Sequence, residues 1–150
     1  MNNIKYNGFT LLEMMVIVII LGLLASLTVP SLMENKNRAD QQKVLSDIAA
    51  IENALDMYKL DNGHYPTESQ GIISLVIKPT DLPIPRTYPN SGYIRRLPKD
   101  PWGNSYQMNN PGRYEDIDIF SSGPDREVGT EDDIGNWLTS LVKNDTNNDL

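Results

Sequence analysis

Cysteine is absent from the chain of 150 residues, and its absence excludes several kinds of site. A chain without thiols forms no disulfide, no thiolate zinc site and no cysteine nucleophile. If such a chain is exported to an oxidising compartment, another kind of cross-link must stabilise its fold. A bound metal ion is the obvious candidate.

Catalytic motifs are also lacking. His64 is the only histidine, and no G-x-S-x-G, phosphate-loop or dinucleotide-binding motif is present for it to join. Nothing in the sequence places two carboxylates across a cleft, and a small domain leaves little room for a pocket. We therefore predict that the chain is not an enzyme, that His64 is a surface or packing residue, and that Trp102 and Trp137 are packing residues.

Basic residues are outnumbered by acidic ones, 13 to 20, which gives a formal net charge of −7. This balance argues against nucleic acid or anionic lipid headgroups as the main partner. The acids are unevenly spread, because eight of the 20 lie between residues 115 and 133, where Arg126 is the only base. Carboxylates at this density require an explanation.

One long apolar run is present, at residues 11–29, and Glu13 is its only charged residue. As a helix the run would be roughly 28 Å long, which is enough to cross the core of a bilayer. It is longer than the apolar region of a signal peptide and lacks a small-residue cleavage site at its end. The run therefore predicts a membrane-spanning helix, and a plain signal anchor is one form of it.

The position of Glu13 has two interpretations, because a carboxylate in an apolar run is unfavourable unless it is paired. In the first, Thr10 and Glu13 form an S/T-x-x-E capping box at the start of the helix. In the second, cleavage before Phe9 creates an α-amine with a pKa of about 8. That amine is unfavourable at the positive end of its own helix dipole, so it would pair with Glu13 of a neighbouring subunit.

The segment Gly8-Phe9-Thr10-Leu11-Leu12-Glu13, followed by the apolar run, resembles the cleavage motif of type IV pilins and type II secretion pseudopilins. The resemblance implies that a prepilin peptidase cuts between Gly8 and Phe9 and methylates Phe9. It also implies a cytoplasmic leader. Asn7 departs from the family pattern, which usually has Lys or Arg before the glycine, so we expect slower cleavage.

Beyond Pro30 the apolar residues are spaced by four, three, four and three positions, which predicts one buried helical face. These residues are Val44, Ile48, Ile51, Leu55 and Tyr58. With Asn62-Gly63 as a stop signal, the pattern predicts a single helix from about Thr10 to Asp61. Pro30 is expected to bend that helix, or to remove a turn from it, in an assembled fibre.

Turn-forming residues divide the rest of the chain into short elements. We predict a short helix near residues 71–77 and, because four prolines lie between residues 78 and 93, an extended segment after it. Two strands are predicted next, at residues 105–108 and 114–120, with a turn at residues 109–112 between them.

An acidic loop, residues 121–134, follows the second predicted strand. Gly123 and Gly129 allow a tight backbone, so Asp125, Asp132 and Asp133 could converge with backbone carbonyls on one hard cation. Calcium suits these oxygen ligands better than zinc does. The spacing is not that of an EF-hand, and on chemistry alone a metal site and a solvated acidic loop are both open.

The same loop carries a second resemblance, to the major pseudopilins of type II secretion, which end in a similar S-x-G-x-D and G-T-x-D-D-I stretch that holds calcium. The resemblance implies that Asp125, Asp132 and Asp133 are side-chain ligands and that Ser122 supplies a backbone ligand, with a second carbonyl near Glu127. It includes residues 53–62 and 100–104 and extends from about Gly8 to Trp137.

Together these patterns predict an α+β, type IV pilin-like fold: a long N-terminal helix, membrane-spanning in its first half, packed on a small antiparallel sheet with a C-terminal calcium loop. Residues 1–8 would be the leader, residues 9–30 the transmembrane and polymerisation helix, and residues 31–137 a periplasmic domain. The polar tail, residues 138–150, is expected to be poorly ordered.

The predicted function is that of a major pseudopilin. Anchored in the bacterial inner membrane before assembly, the chain would form a homopolymeric pseudopilus and act with minor pseudopilins and inner-membrane secretion components to export folded proteins. No nucleic acid is expected as a partner. The alternatives are a minor pseudopilin or type IV pilin, and a membrane-anchored calcium-binding module that never polymerises, in which Glu13 only caps the helix.

Overall fold

The computed structural model describes residues 8–138, with side chains for all of these except residues 27–32. Most of the predicted leader, and all of the predicted tail beyond residue 138, lie outside the described residues. The elements in chain order are helix α1 at Leu11–Asn62, a 3₁₀ helix at Ile72–Leu75, and strands β1 at Gln107–Asn109, β2 at Asp118–Ser121 and β3 at Ile134–Gly135. The α+β class is therefore confirmed.

Helix α1 begins and ends within one residue of the predicted bounds. At its start, the Thr10 hydroxyl accepts a hydrogen bond from the backbone N–H of Glu13 at 3.2 Å. At its end, Gly63 has a φ of +81° and donates its N–H to the carbonyl of Lys59 at 2.7 Å. This positive φ is why glycine follows the helix. The bend expected at Pro30 in a fibre stays a prediction.

The structure divides after Ala39 into two compact units, and the core described here lies in the unit that begins at Asp40. The predicted apolar face of α1 is buried, since Val44, Ile51 and Tyr58 are fully inaccessible to solvent. The same core contains residues of the 3₁₀ helix and of all three strands: Ile72, Leu75, Met108, Ile119 and Ile134. The 3.6-residue period thus identified the packing face correctly.

The three strands form one antiparallel sheet in the order β1-β2-β3. Met108 is opposite Ile119, and Ser121 is opposite Ile134. Strand β1 begins at Gln107 rather than at residue 105, where Ser105 forms only an isolated bridge with Lys99. The two-residue strand β3 lies within the predicted acidic loop and was not foreseen.

Strand β2 is shorter than the predicted strand at residues 114–120, and Asp118 explains the difference. Its carboxylate accepts hydrogen bonds from the backbone N–H groups of Arg113, Tyr114 and Glu115, at 2.5 to 3.2 Å. These N–H groups would otherwise be available to a β-ladder. Because Asp118 is only 1% exposed, its side chain organises the preceding loop from inside the fold.

Replacing Asp118 by alanine is expected to destabilise the fold, because three backbone donors lose a charged acceptor. We expect the free energy of unfolding to fall by about 3 kcal/mol or more, measured by urea denaturation. Asp116→Ala is the matched control, since this carboxylate is 84% exposed and 3.6 Å from Lys59, and the expected change is below about 1 kcal/mol. Equal effects of the two substitutions would contradict the assignment.

The aromatic residues predicted to pack do so. Trp102 is partly buried against the core, and the ring of Trp137 lies 4.6 Å from that of Tyr114 and 5.9 Å from that of Phe120, between centroids. His64 packs edge-on against Tyr58, with ring centroids 6.1 Å apart. These contacts account for all three residues without a ligand.

Candidate functional site

The segment before α1 is exposed over its whole described length. Gly8, Phe9 and Thr10 are accessible to solvent, and the Phe9 side chain is 76% exposed. A Cβ atom added at Gly8 would meet nothing within 4 Å. No contact in the described part of the chain therefore requires glycine at this position.

Glu13 is exposed in the first turn of α1, and its backbone N–H and its side-chain carboxylate have different surroundings. Its backbone N–H bonds to the Thr10 hydroxyl, which is one half of the predicted capping box. Among the described residues, its carboxylate makes no hydrogen bond or salt bridge. Capping therefore uses the backbone N–H of residue 13, and the acidic side chain has no partner among the described residues.

The apolar residues after Glu13 are exposed on every side of the helix. They retain between 40% and 65% of their accessible surface, and they are Met14, Met15, Val16, Ile17, Val18, Ile19, Ile20, Leu21, Leu23 and Leu24. Within the residues that the structure describes, no helical stretch combines the length and hydropathy that a bilayer crossing requires.

The acidic loop folds back on itself at Gly123. This residue is buried with a φ of +64°, and an added Cβ would lie 2.5 Å from the carbonyl oxygen of Asp132 and 2.6 Å from its Oδ2. Arg126, with a φ of +67°, and Gly129, with a φ of +90°, complete the tight path. Glycine at 123 thus allows the two ends of the loop to touch.

Asp125 and Asp132, two of the predicted ligands, are brought together. Asp132 Oδ2 accepts the N–H of Asp125 at 3.2 Å, and Asp132 Oδ1 accepts the Thr130 hydroxyl at 2.6 Å. The Thr130 bond, together with the Asp125 N–H, lowers the pKa of the Asp132 carboxyl. This carboxylate is thus held in its charged form. Thr130 is a supporting residue that the sequence pattern did not single out, although it lies two positions before Asp132.

Asp133 contributes a buried oxygen that is unpaired. Its Oδ2 accepts the N–H of Gly129 at 2.7 Å, while its Oδ1 is inaccessible to solvent and has no hydrogen-bond partner among the described residues. In the same part of the chain, no three His, Cys, Asp or Glu side chains are grouped closely enough to share a metal ion. Ser122 is a buried residue, whereas Glu127 is exposed.

A second turn, residues 100–104, holds the acidic loop in place. Buried Asp100 accepts the hydroxyl of Ser121 at 2.7 Å and the backbone N–H of Asn104 at 2.7 Å. From the loop, Arg126 donates to the carbonyl of Trp102 at 3.3 Å. The D-P-W-G-N turn is therefore the support on which the loop rests, a role the sequence did not reveal.

An open groove with a volume of about 500 Å³ lies between α1 and the loop at residues 115–117. It contains four carboxylates: Glu52, Asp56, Glu115 and Asp116. The domain therefore has room for an open groove, which the expectation of little room for a pocket did not foresee. Asn136 donates to Glu52 at 3.0 Å and the Tyr65 hydroxyl to Asp56 at 2.8 Å, so both have structural partners.

Two family models match separate parts of this chain. The model described as "Prokaryotic N-terminal methylation motif" matches residues 4–29, which include Gly8, Phe9 and Glu13. The model described as "Type II secretion system (T2SS), protein G" matches residues 31–137, which include the whole acidic loop. The two matches meet near residue 30, where the sequence predicted a change from apolar helix to globular domain.

Individual relatives agree with these models. The type II secretion system core protein G of Aeromonas hydrophila is 65% identical over 133 residues, covering 89% of this chain and 93% of that protein. The core protein G of Escherichia coli strain K12 is 62% identical over 139 residues, covering 93% and 96%.

The fold agrees with a solved structure as well. The crystal structure of the major pseudopilin from the type 2 secretion system of enterohaemorrhagic Escherichia coli is matched with a TM-score of 0.69 at 63% identity. The match covers 72% of this chain and 91% of the crystallised one. The chain therefore belongs to the type II secretion system protein G family, whose members are major pseudopilins, structural subunits of a secretion machine of the cell envelope and not a known family of enzymes.

Proposed function

We propose that the chain is made as a precursor, cut between Gly8 and Phe9, methylated on the amine of Phe9 and added to a homopolymeric pseudopilus through residues 9–30. The observation that carries this proposal is the carboxylate of Glu13, which is unpaired among the described residues at the edge of an exposed apolar helix. Cleavage supplies the positive charge that this carboxylate lacks.

The ion pair between the Phe9 amine and the Glu13 carboxylate forms between two subunits rather than within one. The new amine carries a positive charge at the N-terminal end of α1, where the helix dipole is also positive. An ion pair between this amine and the Glu13 carboxylate of a neighbouring helix stabilises both groups, since an unpaired charge is unfavourable in an apolar environment. Because Glu13 lies four residues after Phe9, the pair also sets the axial offset between adjacent helices.

The apolar side chains of residues 14–24 have two environments in this scheme. Before assembly they lie in the bacterial inner membrane as part of a single span, with the domain that follows in the periplasm. During assembly the same side chains pack against those of neighbouring subunits. Their exposure on all sides of α1 suits both environments, since lipid and apolar side chains are equivalent solvents for them.

The processing and assembly steps imply specific partners. A prepilin peptidase acts on the leader, and minor pseudopilins and inner-membrane secretion components act with the growing fibre. The fibre's work is mechanical: extension pushes folded proteins across the outer membrane. Nothing in this scheme requires nucleic acid or a catalytic residue of this chain.

Calcium is proposed as the cross-link that a cysteine-free domain needs. The side chains of Asp125, Asp132 and Asp133 would hold the ion, with backbone carbonyls at Ser122 and Glu127. The donors are all oxygens, as calcium prefers, and the buried Oδ1 of Asp133 offers a lone pair with no other partner in the described residues. The bound ion would neutralise carboxylates that otherwise repel one another.

The mass of the mature protein tests the proposal directly. We expect the chain extracted from membranes to begin at an N-methylated Phe9, and expect cells without prepilin peptidase to retain Met1. Replacing Gly8 by isoleucine is expected to block cleavage without unfolding the domain, because a side chain there meets nothing within 4 Å. An intact Met1 in cells with active peptidase would refute the proposal.

A further inference from the structure

We propose that the globular units of adjacent subunits contact each other through two exposed apolar surfaces of different kinds. One is a loop patch formed by Ile73, Ile77, Leu82 and Ile84, and the other is a helix strip formed by Met57 and Leu60 of α1. The occupant of each surface is the other surface on a second copy of this chain. The inference rests on the proposed function, because it requires that the chain polymerises, and it adds where the globular units meet.

The loop patch is built on the 3₁₀ helix and the segment that follows. Ile72 and Leu75 are buried in the core, while Ile73 and Ile77 are 53% and 64% exposed. The N–H of Ile77 donates to the carbonyl of Ile73 at 3.0 Å, so both side chains belong to one turn. Leu82, at 83% exposed, and Ile84, at 51%, are the exposed apolar side chains of the segment that follows.

Gln70 holds the second half of the loop patch in place. Its side chain is buried, and its Nε2 donates to the carbonyls of Asp81 and Pro83 at 2.9 and 3.1 Å. Its Oε1 accepts the N–H of Thr67 at 3.0 Å. The backbone on both sides of Leu82 is thereby fixed to the turn that precedes the 3₁₀ helix. A large apolar side chain displayed on a fixed backbone loses little entropy on binding, as expected of a contact surface.

The helix strip lies on the face of α1 that points away from the core. Met57 and Leu60 are three residues apart, hence neighbours on one face, and they are 54% and 78% exposed. At 3.6 residues per turn, the middle of this strip is about 170° from the middle of the buried stripe. The strip is therefore not an edge of the core, and nothing in the core explains its apolar character.

Charge distinguishes the two surfaces and makes them complementary. The helix strip is flanked by Asp56 and Asp61, each about 70° around the helix from its middle. The loop patch is flanked by exposed Lys78 and Arg86, and neither forms a hydrogen bond or salt bridge with any described residue. Although Asp81 also lies in the patch, bases outnumber acids there. In the proposed contact, the helix strip with its acidic border packs against the loop patch with its basic border.

A second copy of this chain is favoured as the partner because every molecule carries both complementary surfaces, the loop patch and the helix strip. A contact between two different surfaces of the same chain is heterologous, so each subunit that docks leaves one surface of each kind free for the next. Repetition of such a contact produces a fibre rather than a closed dimer. This is the geometry that addition of subunits to a pseudopilus requires.

The absence of cysteine makes a direct test clean, since any disulfide must come from introduced residues. Six double variants of the full-length chain pair a cysteine at Met57 or Leu60 with one at Ile77, Leu82 or Ile84. In oxidised fibres we expect at least one pair to give a ladder of covalent dimers, trimers and longer species on a non-reducing gel. Single variants should give at most dimers. Leu60→Cys with Val128→Cys is the matched control, because Val128 is 56% exposed but lies in the acidic loop.

A charge substitution gives a second, independent readout. Leu82→Asp is expected to reduce fibre yield about tenfold or more, because it buries an unpaired charge in the contact. Thr80→Asp, which adds the same charge two residues away at another exposed position of the loop, should have little effect.

The outcomes separate this inference from the proposed function. One outcome is that fibres are visible by electron microscopy, but none of the six cysteine pairs gives a stronger ladder than the control pair. This outcome would refute the proposed contact and would leave the proposal of polymerisation intact. If the unaltered chain forms no fibres in cells with the complete secretion machinery, the proposed function fails and the contact fails with it. A ladder together with loss of fibres in Leu82→Asp supports both.

Discussion

Replacement of Glu13 by leucine is expected to abolish fibre assembly without unfolding the globular unit. The capping hydrogen bond to Thr10 comes from the backbone N–H of residue 13, which leucine also has, so the start of α1 survives the change. What leucine removes is the carboxylate, and the methylated amine of Phe9 is then left charged and unpaired among apolar helices. Breaking a buried ion pair in this way costs about 3 to 5 kcal/mol, or a hundredfold or more in association.

Two control variants separate pairing from capping and from general charge. Thr10→Val removes the hydroxyl that accepts the hydrogen bond but keeps the carboxylate, and we expect it to form fibres. Glu34→Gln removes an exposed glutamate that forms a salt bridge with Arg38 at 2.6 Å on the same helix, and little change is expected. Fibre yield is measured by electron microscopy, with cleavage at Phe9 checked by mass. Normal fibres from Glu13→Leu, with Thr10→Val defective, would favour the capping interpretation.

The long helix and its packing face were predictable from sequence because they depend on local rules. Five apolar residues at helical spacing identified the buried face from Val44 to Tyr58, and Asn62-Gly63 identified the end of α1 to within one residue. Each of these signals arises from residues within a few positions of one another. Tertiary contacts changed none of them.

The sheet was less predictable because side chains compete with the ladder for backbone donors. Asp118 accepts hydrogen bonds from the N–H groups of Arg113, Tyr114 and Glu115, and the last two belong to the segment expected to begin the strand. The strand begins only at Asp118 itself. No propensity scale contains this effect, since it depends on the carboxylate turning inward. Strand β3 was missed because its two residues, Ile134 and Gly135, pair with β2 across the acidic loop, a contact that local sequence patterns do not encode.

The candidate calcium loop was identified from composition and resemblance, but its supports were not. The roles of Asp100 and Trp102 depend on contacts more than 20 residues along the chain, which spacing does not encode. The acidic groove formed by the helix and the loop at residues 115–117 is likewise a product of tertiary packing. Sequence identifies which residues can bind an ion, and the fold determines which of their oxygens are free.

Removal of calcium is expected to lower the melting temperature of the domain, measured on a fragment that begins at residue 34. At a concentration one hundred times its dissociation constant, a bound ion adds about 2.7 kcal/mol. For a domain of this size we therefore expect a fall of roughly 10 to 20 °C when a chelator is added. Calcium should restore the value, while magnesium, which binds fewer protein oxygens in a stricter geometry, should not.

Asp133→Asn makes this prediction specific to one oxygen. The amide oxygen can still accept the N–H of Gly129, as Asp133 Oδ2 does at 2.7 Å, but the side chain carries no charge. With chelator present we expect the variant to melt at or above the parent temperature, because one repelling, buried carboxylate is gone. With calcium present it should melt well below the parent, because the ion has lost a ligand.

The sign of the difference between parent and Asp133→Asn should therefore reverse when calcium is added. Glu131→Gln is the matched control, since it removes a charge from an exposed position of the same loop. Its melting temperature should stay close to that of the parent, both with calcium and with chelator. A general effect of loop charge would shift both variants alike, and the shift would become smaller as the salt concentration rises. Parallel behaviour of Asp133→Asn and Glu131→Gln would thus reduce the site to a solvated acidic loop, whereas reversal in Asp133→Asn alone would identify a structural ion.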